Sequence, residues 1–146
     1  HHGNGTEDIF WNHPHFFYAS THQMPLYPGT GAPNERGVAQ NILNVPLTPY
    51  AGSDAFRAAM TNAILPAVES FGPDFLFISA GFDAHKDDPL AQLELTEADF
   101  GWATAQICKL ADRICGGRLV STLEGGYNLD ALGRCAAAHV RALANS

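Results

Sequence analysis

Apolar positions switch between two spacings along this chain. From Ser53 onward Phe56, Met60, Ile64, Val68 and Phe71 recur three or four residues apart, the period of one helix face. The pattern predicts a helix with Ser53 as N-cap and Asp54 in its first turn, kinked at Pro66 by the missing N–H and the bulk of the ring. Thr96-Glu97-Ala98-Asp99 has the form of a capping box, and Phe100, Ala103, Ile107, Leu110 and Ile114 form the stripe behind it up to Gly116-Gly117. Asn128 caps a further helix, with Leu129, Leu132, Ala136, Val140 and Leu143 expected on its buried side. Short apolar runs at 16 to 20, 37 to 47, 75 to 80 and 118 to 123 read as strands. The run at 75 to 80 is apolar on both faces, as suits a central parallel strand covered by helices. Strand, strand, helix, strand, helix, strand, helix is the order of an α/β fold, three layers with helices on both faces of a mainly parallel sheet.

The 146 residues, 46% of them hydrophobic, suffice for one core and one globular unit. Pro25, Pro28, Gly29, Gly31 and Pro33 make the stretch after the first strand a long irregular loop, and the opening His1-His2-Gly3-Asn4-Gly5 also reads as a loop. The formal charge of −7, with Lys86 and Lys109 the only lysines, argues against direct binding to nucleic acid or anionic lipid. Cys108, Cys115 and Cys135 are not at metal-ligand spacing and cannot all pair with one another, which favours a reducing compartment. With no run of about 18 apolar residues and no secretion-like start, a cytoplasmic protein is expected.

In parallel sheets of this kind, ligands bind beyond the carboxyl ends of the strands. Asp83 follows the strand at 75 to 80, Tyr127 follows the strand at 118 to 123, and His1 would open the matching loop at a third strand end. One imidazole, one carboxylate and one phenol form a hydrolytic set, in which the first two hold a divalent metal and the phenol steadies an oxyanion. Taken singly, each has a plainer reading: a turn-forming Asp, a packing Tyr, a His left from a tag.

Four segments in order change those weights: His1-His2-Gly3-Asn4-Gly5-Thr6, Pro28-Gly29-Thr30-Gly31, Ser79-Ala80-Gly81-Phe82-Asp83 with Asp88-Pro89, and Glu124-Gly125-Gly126-Tyr127-Asn128. Together they resemble the signatures of the histone deacetylase, acetylpolyamine amidohydrolase and acetoin-utilisation superfamily, along nearly the whole chain. The resemblance implies an arginase/deacetylase-like fold and zinc-dependent hydrolysis of the amide bond of acyl-lysine. It places metal ligands at His1 and Asp83, the transition-state tyrosine at Tyr127, and at Asn4 a residue that orients a catalytic histidine. His2 belongs to the motif without an assigned chemistry. Tyr27 matches an aromatic wall of the acyl-lysine tunnel, and Leu90 and Gly126 fall at substrate-contacting positions. The polyamine-selective members carry an acidic gatekeeper where Leu90 stands, which tilts the implied partner towards an acetylated lysine side chain of a protein or peptide, with an acetylated polyamine, and so an acetylpolyamine amidohydrolase, as the alternative. Structural K+ is implied as well, with Ser20 and Thr21 matching part of an inner site and Phe10, His13 and Phe16 part of an outer one.

The family's first ligand aspartate belongs two residues before His1, and its general-base histidine pair further upstream. The expectation is therefore the C-terminal portion of a single catalytic domain, residues 1–146, inactive alone and prone to association where its sheet edge and helix faces lose their cover. His13, His15, His22, His85 and His139 are expected to bond backbone groups or face solvent, and Trp11 and Trp102 to pack. Two further alternatives stand. Arginase-like enzymes would need more carboxylates and lack a tyrosine in the Gly-Gly-Tyr-Asn position. A non-catalytic relative that grips acyl-lysine differs only in residues outside this chain.

Overall fold

The structure, a computed structural model, describes all residues from His1 to Ser146. It is an α/β arrangement in which parallel strands are flanked by helices, in the order α1 (Asn4–Phe10), β1 (Tyr18–Gln23), β2 (Ile42–Leu47), α2 (Ser53–Ala59), α3 (Leu65–Phe71), β3 (Leu76–Ala80), α4 (Glu97–Cys115), β4 (Leu119–Leu123) and α5 (Leu129–Ala144). The strands pair two by two rather than as one sheet: β1 lies parallel to β2 from Tyr18↔Ile42 to Gln23↔Leu47, and β3 parallel to β4 from Leu76↔Leu119 to Ala80↔Leu123.

Local chemistry explains most of the boundaries. Thr96 and Asp99 complete the capping box of α4, Gly116 ends it in the left-handed conformation, and the Asn128 side chain accepts from Ala131 N to start α5. The predicted kink at Pro66 takes the form of a π-helical turn, Met60–Ile64, between α2 and α3; one residue more per turn keeps the proline ring off the carbonyl four residues earlier. The N-cap of α2 is Gly52, not Ser53, whose hydroxyl instead donates to Asp99 Oδ2 at 2.7 Å.

The main core joins Leu47, Phe56, Met60, Ile64, Ala80, Phe82, Leu93, Leu95, Phe100, Ala103 and Cys135. At its edge the Arg57 guanidinium lies 5.1 Å over the Trp102 ring and pairs with Asp99, whose carboxylate is fully buried. Burial pushes the Asp99 carboxyl up, and the hydrogen bonds from Ser53, Thr96 and Arg57 outweigh it, so the group stays ionised below the usual carboxylate range.

Four expectations give way. The opening segment forms α1, fastened by Glu7, which is buried although no apolar stripe marks the helix. Helix α5 buries Ala131, Cys135 and His139 and leaves Leu129 and Val140 exposed, because small residues face α4 where Gly101 meets Ala138. His139 neither faces solvent nor bonds backbone: Thr104 donates to Phe100 O and accepts from His139 Nδ1 at 2.7 Å, while Ser121 donates to Nε2 at 2.8 Å. Burial pushes this imidazole down, as befits a ring held neutral. Strand β3 is covered on one face only, since Phe77 is 76% exposed and Val120 beside it on β4 is exposed as well. No helix is long and apolar enough to cross a membrane.

Candidate active site

Because β3 and β4 run parallel with Ala80 opposite Leu123, their following loops leave the sheet at one level. Two backbone bonds join them, Glu124 N to Ala80 O at 3.0 Å and Phe82 N to Gly125 O at 2.8 Å. Asp83 lies in the slot so formed. A Cβ at Gly125 would stand 2.9–3.1 Å from three atoms of its carboxyl group, and one at Gly81 would stand 3.0 Å from Oδ1, so both glycines are needed to admit it. Gly126 then takes φ +142°, and a Cβ there would meet Leu132 at 2.9 Å. The turn delivers Tyr127, whose ring is more than half exposed.

The chain's opening residues reach the same place. The His1 amino nitrogen is 3.9 Å from Asp83 Oδ2, and its ring stacks on Tyr27 with centroids 6.0 Å apart and planes 19° from parallel. Beneath it His2, 3% exposed, donates from Nδ1 to Glu7 Oε2 at 3.0 Å and meets the Thr30 hydroxyl at 2.8 Å through Nε2. Glu7 also accepts from Asn44 Nδ2 at 3.2 Å, so one buried carboxylate ties α1, β2 and the loop carrying Tyr27 together. His22 donates from Nε2 to Gly31 O at 2.9 Å and accepts from Ser20, and burial pushes its imidazole down to about 4. Gly31 must lack a side chain, because a Cβ there would stand 2.6 Å from His22 and 3.0 Å from His2. Gly3 N donates to the Tyr18 hydroxyl at 2.8 Å, and burial pushes that phenol up.

Of the residues singled out from the sequence, His1, Asp83 and Tyr27 thus come together, and Tyr127 leaves from the loop that walls Asp83. Leu90, 63% exposed, follows on the Asp83 loop, and Asn4 is the first residue of α1. His13 is exposed, while His85 is buried and accepts from Asp87 N at Nδ1. Sequence reasoning missed His2, Glu7 and Thr30 as a unit. The one signal was a Thr between two glycines, since the partners lie far apart in the chain.

The donor chemistry suits zinc in part. An imidazole-bearing residue stands beside a mostly buried carboxylate, 17% exposed, and imidazole and carboxylate are both donors that zinc takes. A catalytic zinc takes three protein ligands, and no three His, Cys, Asp or Glu side chains gather here to hold a metal ion. Elsewhere, the carbonyls of Phe10, His13 and Phe16 converge on Asn41 Nδ2 at 2.9, 3.2 and 3.1 Å, and Asn41 Oδ1 is buried without a partner.

A histone deacetylase domain model matches residues 1–143. Histone deacetylase 10, chloroplastic, of Oryza sativa subsp. japonica is 46% identical over 145 residues, which are 97% of this chain and 33% of that protein. The chain thus spans about a third of the length of that relative, and less of several others. Among solved structures, the HDA15 HD domain superposes with a TM-score of 0.90 at 37% identity, covering 100% of this chain and 43% of that one. An acetylpolyamine aminohydrolase from Burkholderia pseudomallei superposes with a TM-score of 0.88 at 30% identity, covering 98% and 42%. With the fold, the glycine-walled Asp83 slot and these matches in agreement, the chain belongs to the histone deacetylase family.

Proposed function

We propose that the protein containing this chain hydrolyses the amide bond of acyl-lysine, with His1 and Asp83 as two of the ligands of a zinc ion and the rest of the protein completing the site. The observation that carries this reading is the Asp83 carboxylate, held in a slot cleared by Gly81 and Gly125 beside His1. A partly buried carboxylate of this kind calls for a cation. Zinc, when bound, supplies a Lewis acid for the acyl carbonyl.

The chain's own residues do the rest of what is proposed for it. Tyr127, presented by Gly126, donates its phenolic hydrogen to the oxyanion that develops on the carbonyl oxygen. Tyr27, Leu90 and Gly126 line the approach of the lysine stem, and Asn4 steadies a catalytic histidine from the start of α1. Leu90 carries no charge to attract a polyamine, which favours acyl-lysine. Three free, buried cysteines support a reducing, cytoplasmic setting.

The test is zinc content and acetyl-lysine peptide turnover of the full-length protein beside its Tyr127→Phe variant. Zinc bound near one per chain, with kcat lowered ~10²–10³-fold by the variant, is the expected result. Zinc binding without cleavage of acyl-lysine or acetylpolyamine would replace the enzyme by a module that binds acyl-lysine.

A further inference from the structure

Asp88 is 8% exposed, yet no cationic side chain pairs with it; Arg134, which lies over this loop, pairs with Asp87 and Glu97 instead. Its two oxygens are divided between two segments. Oδ1 accepts from Leu90 N at 3.0 Å, and Oδ2 accepts from Tyr127 N at 2.8 Å, 39 residues further along the chain. A buried carboxylate is costly unless its oxygens accept hydrogen bonds, and these two backbone N–H groups are what it has.

The bonds that join the loop roots, Phe82 to Gly125 and Glu124 to Ala80, all lie before Gly126. Gly126, without a side chain and at φ +142°, leaves the direction of the next residue to contacts beyond it. Those contacts are Asp88 on the Tyr127 amide and, one residue later, Asn128 Nδ2 on Asp87 O at 3.1 Å. Tyr127 is thereby gripped on both sides by the dipeptide Asp87-Asp88, and only Asp88 grips it with a side chain.

We propose that Asp88 is a positioning residue, which aims the Tyr127 hydroxyl and locks it in register with Leu90 at the substrate rim. The proposal rests on the acyl-lysine hydrolase reading. It makes rim and catalytic tyrosine move together, so that a substrate stem pressing on Leu90 is felt at Tyr127 through one carboxylate.

In the full-length protein, Asp88→Asn leaves one acceptor for two donors. The expected result is a kcat lowered ~10- to 100-fold with KM little changed, as misplacement of a reacting group gives. Zinc content should be unaltered, and hydrogen exchange should be faster at the Tyr127 and Leu90 amides. Adding Tyr127→Phe should cost no more than Tyr127→Phe alone, because both changes disable one hydroxyl. Asp88→Glu, which keeps charge and both acceptors, should recover part of the loss, and it carries the same measurements if Asp88→Asn does not fold. Additive losses in the double variant, a change confined to KM, or unaltered exchange at Tyr127 would overturn the proposal while leaving the hydrolase reading intact. A wild-type protein that cleaves no acyl-lysine would overturn the hydrolase reading and the catalytic half of this one, and the exchange data would then report only whether Asp88 holds the loop.

Discussion

Residues 1–47 and residues 53–144 meet at one site but are held together by different means. The first region contributes Leu47 alone to the eleven-residue core cluster, and it buries His2, Glu7, His22, Gln23, Asn41 and Asn44. The second contributes the other ten, with Phe82 edge-on to Phe100 at 5.2 Å. Polar bonds are directional, so the first region holds an irregular loop in one shape and carries Tyr27 to His1. Apolar packing is not directional but strong, so the second provides the rigid shelf on which the Asp83 and Tyr127 loops stand.

The comparison can be broken where each region is strongest. Phe100→Ala removes an aromatic ring from the shared core and should cost about 4 kcal/mol in denaturant unfolding. A loss below about 1 kcal/mol would mean that the second region does not depend on packing. Glu7→Ala strands His2 and Asn44 without their common acceptor and should cost about 3 kcal/mol. Since Glu7 touches the first region only, hydrogen exchange should quicken in α1 and the loop at 24–37 before it does in α4. Equal quickening everywhere would erase the distinction.

Acid gives the smallest effect and the finest discrimination. His22 is neutral in the fold, its imidazole pushed to about 4, whereas an unfolded histidine titrates near 6.5. Its contribution is fully present above about pH 6.5 and is lost as the pH falls from there through about 4. His139 is shifted in the same direction in the second region. His22→Gln should flatten most of the loss between pH 6.5 and 4, and His139→Gln the lesser part. A pH profile unmoved by His22→Gln would show that the first region does not depend on a neutral imidazole.

What the sequence disclosed follows the same division. The capping box at Thr96, the Asn128 cap, the Gly116 stop and the disruption at Pro66 are local effects, and each is found where its residues stand. The positions of Asp83 and Tyr127, on loops that leave neighbouring strand ends, were legible because the strand runs and the glycines that follow them mark those loops. Helix α1 was not, because it is fastened by Glu7 to residues far along the chain rather than by a stripe of its own. The buried side of α5 was misjudged because close approach to α4 selects small side chains over large apolar ones, which periodicity alone ranks the other way.

The Arg57–Trp102 stack has one more consequence, an optical one. This chain holds two tryptophans, Trp11 at the end of α1 and Trp102 in α4, so each region owns one indole. Trp102 emits from beneath a guanidinium and beside Phe56, whereas Trp11 accepts a bond from Val38 N through its carbonyl and leaves its ring half-buried among loops. With Trp11 replaced by Phe, the remaining emission of the chain becomes the signature of the packed shelf alone, and the difference from the parent spectrum becomes that of the hydrogen-bonded loop, two regions read as two colours in one cuvette.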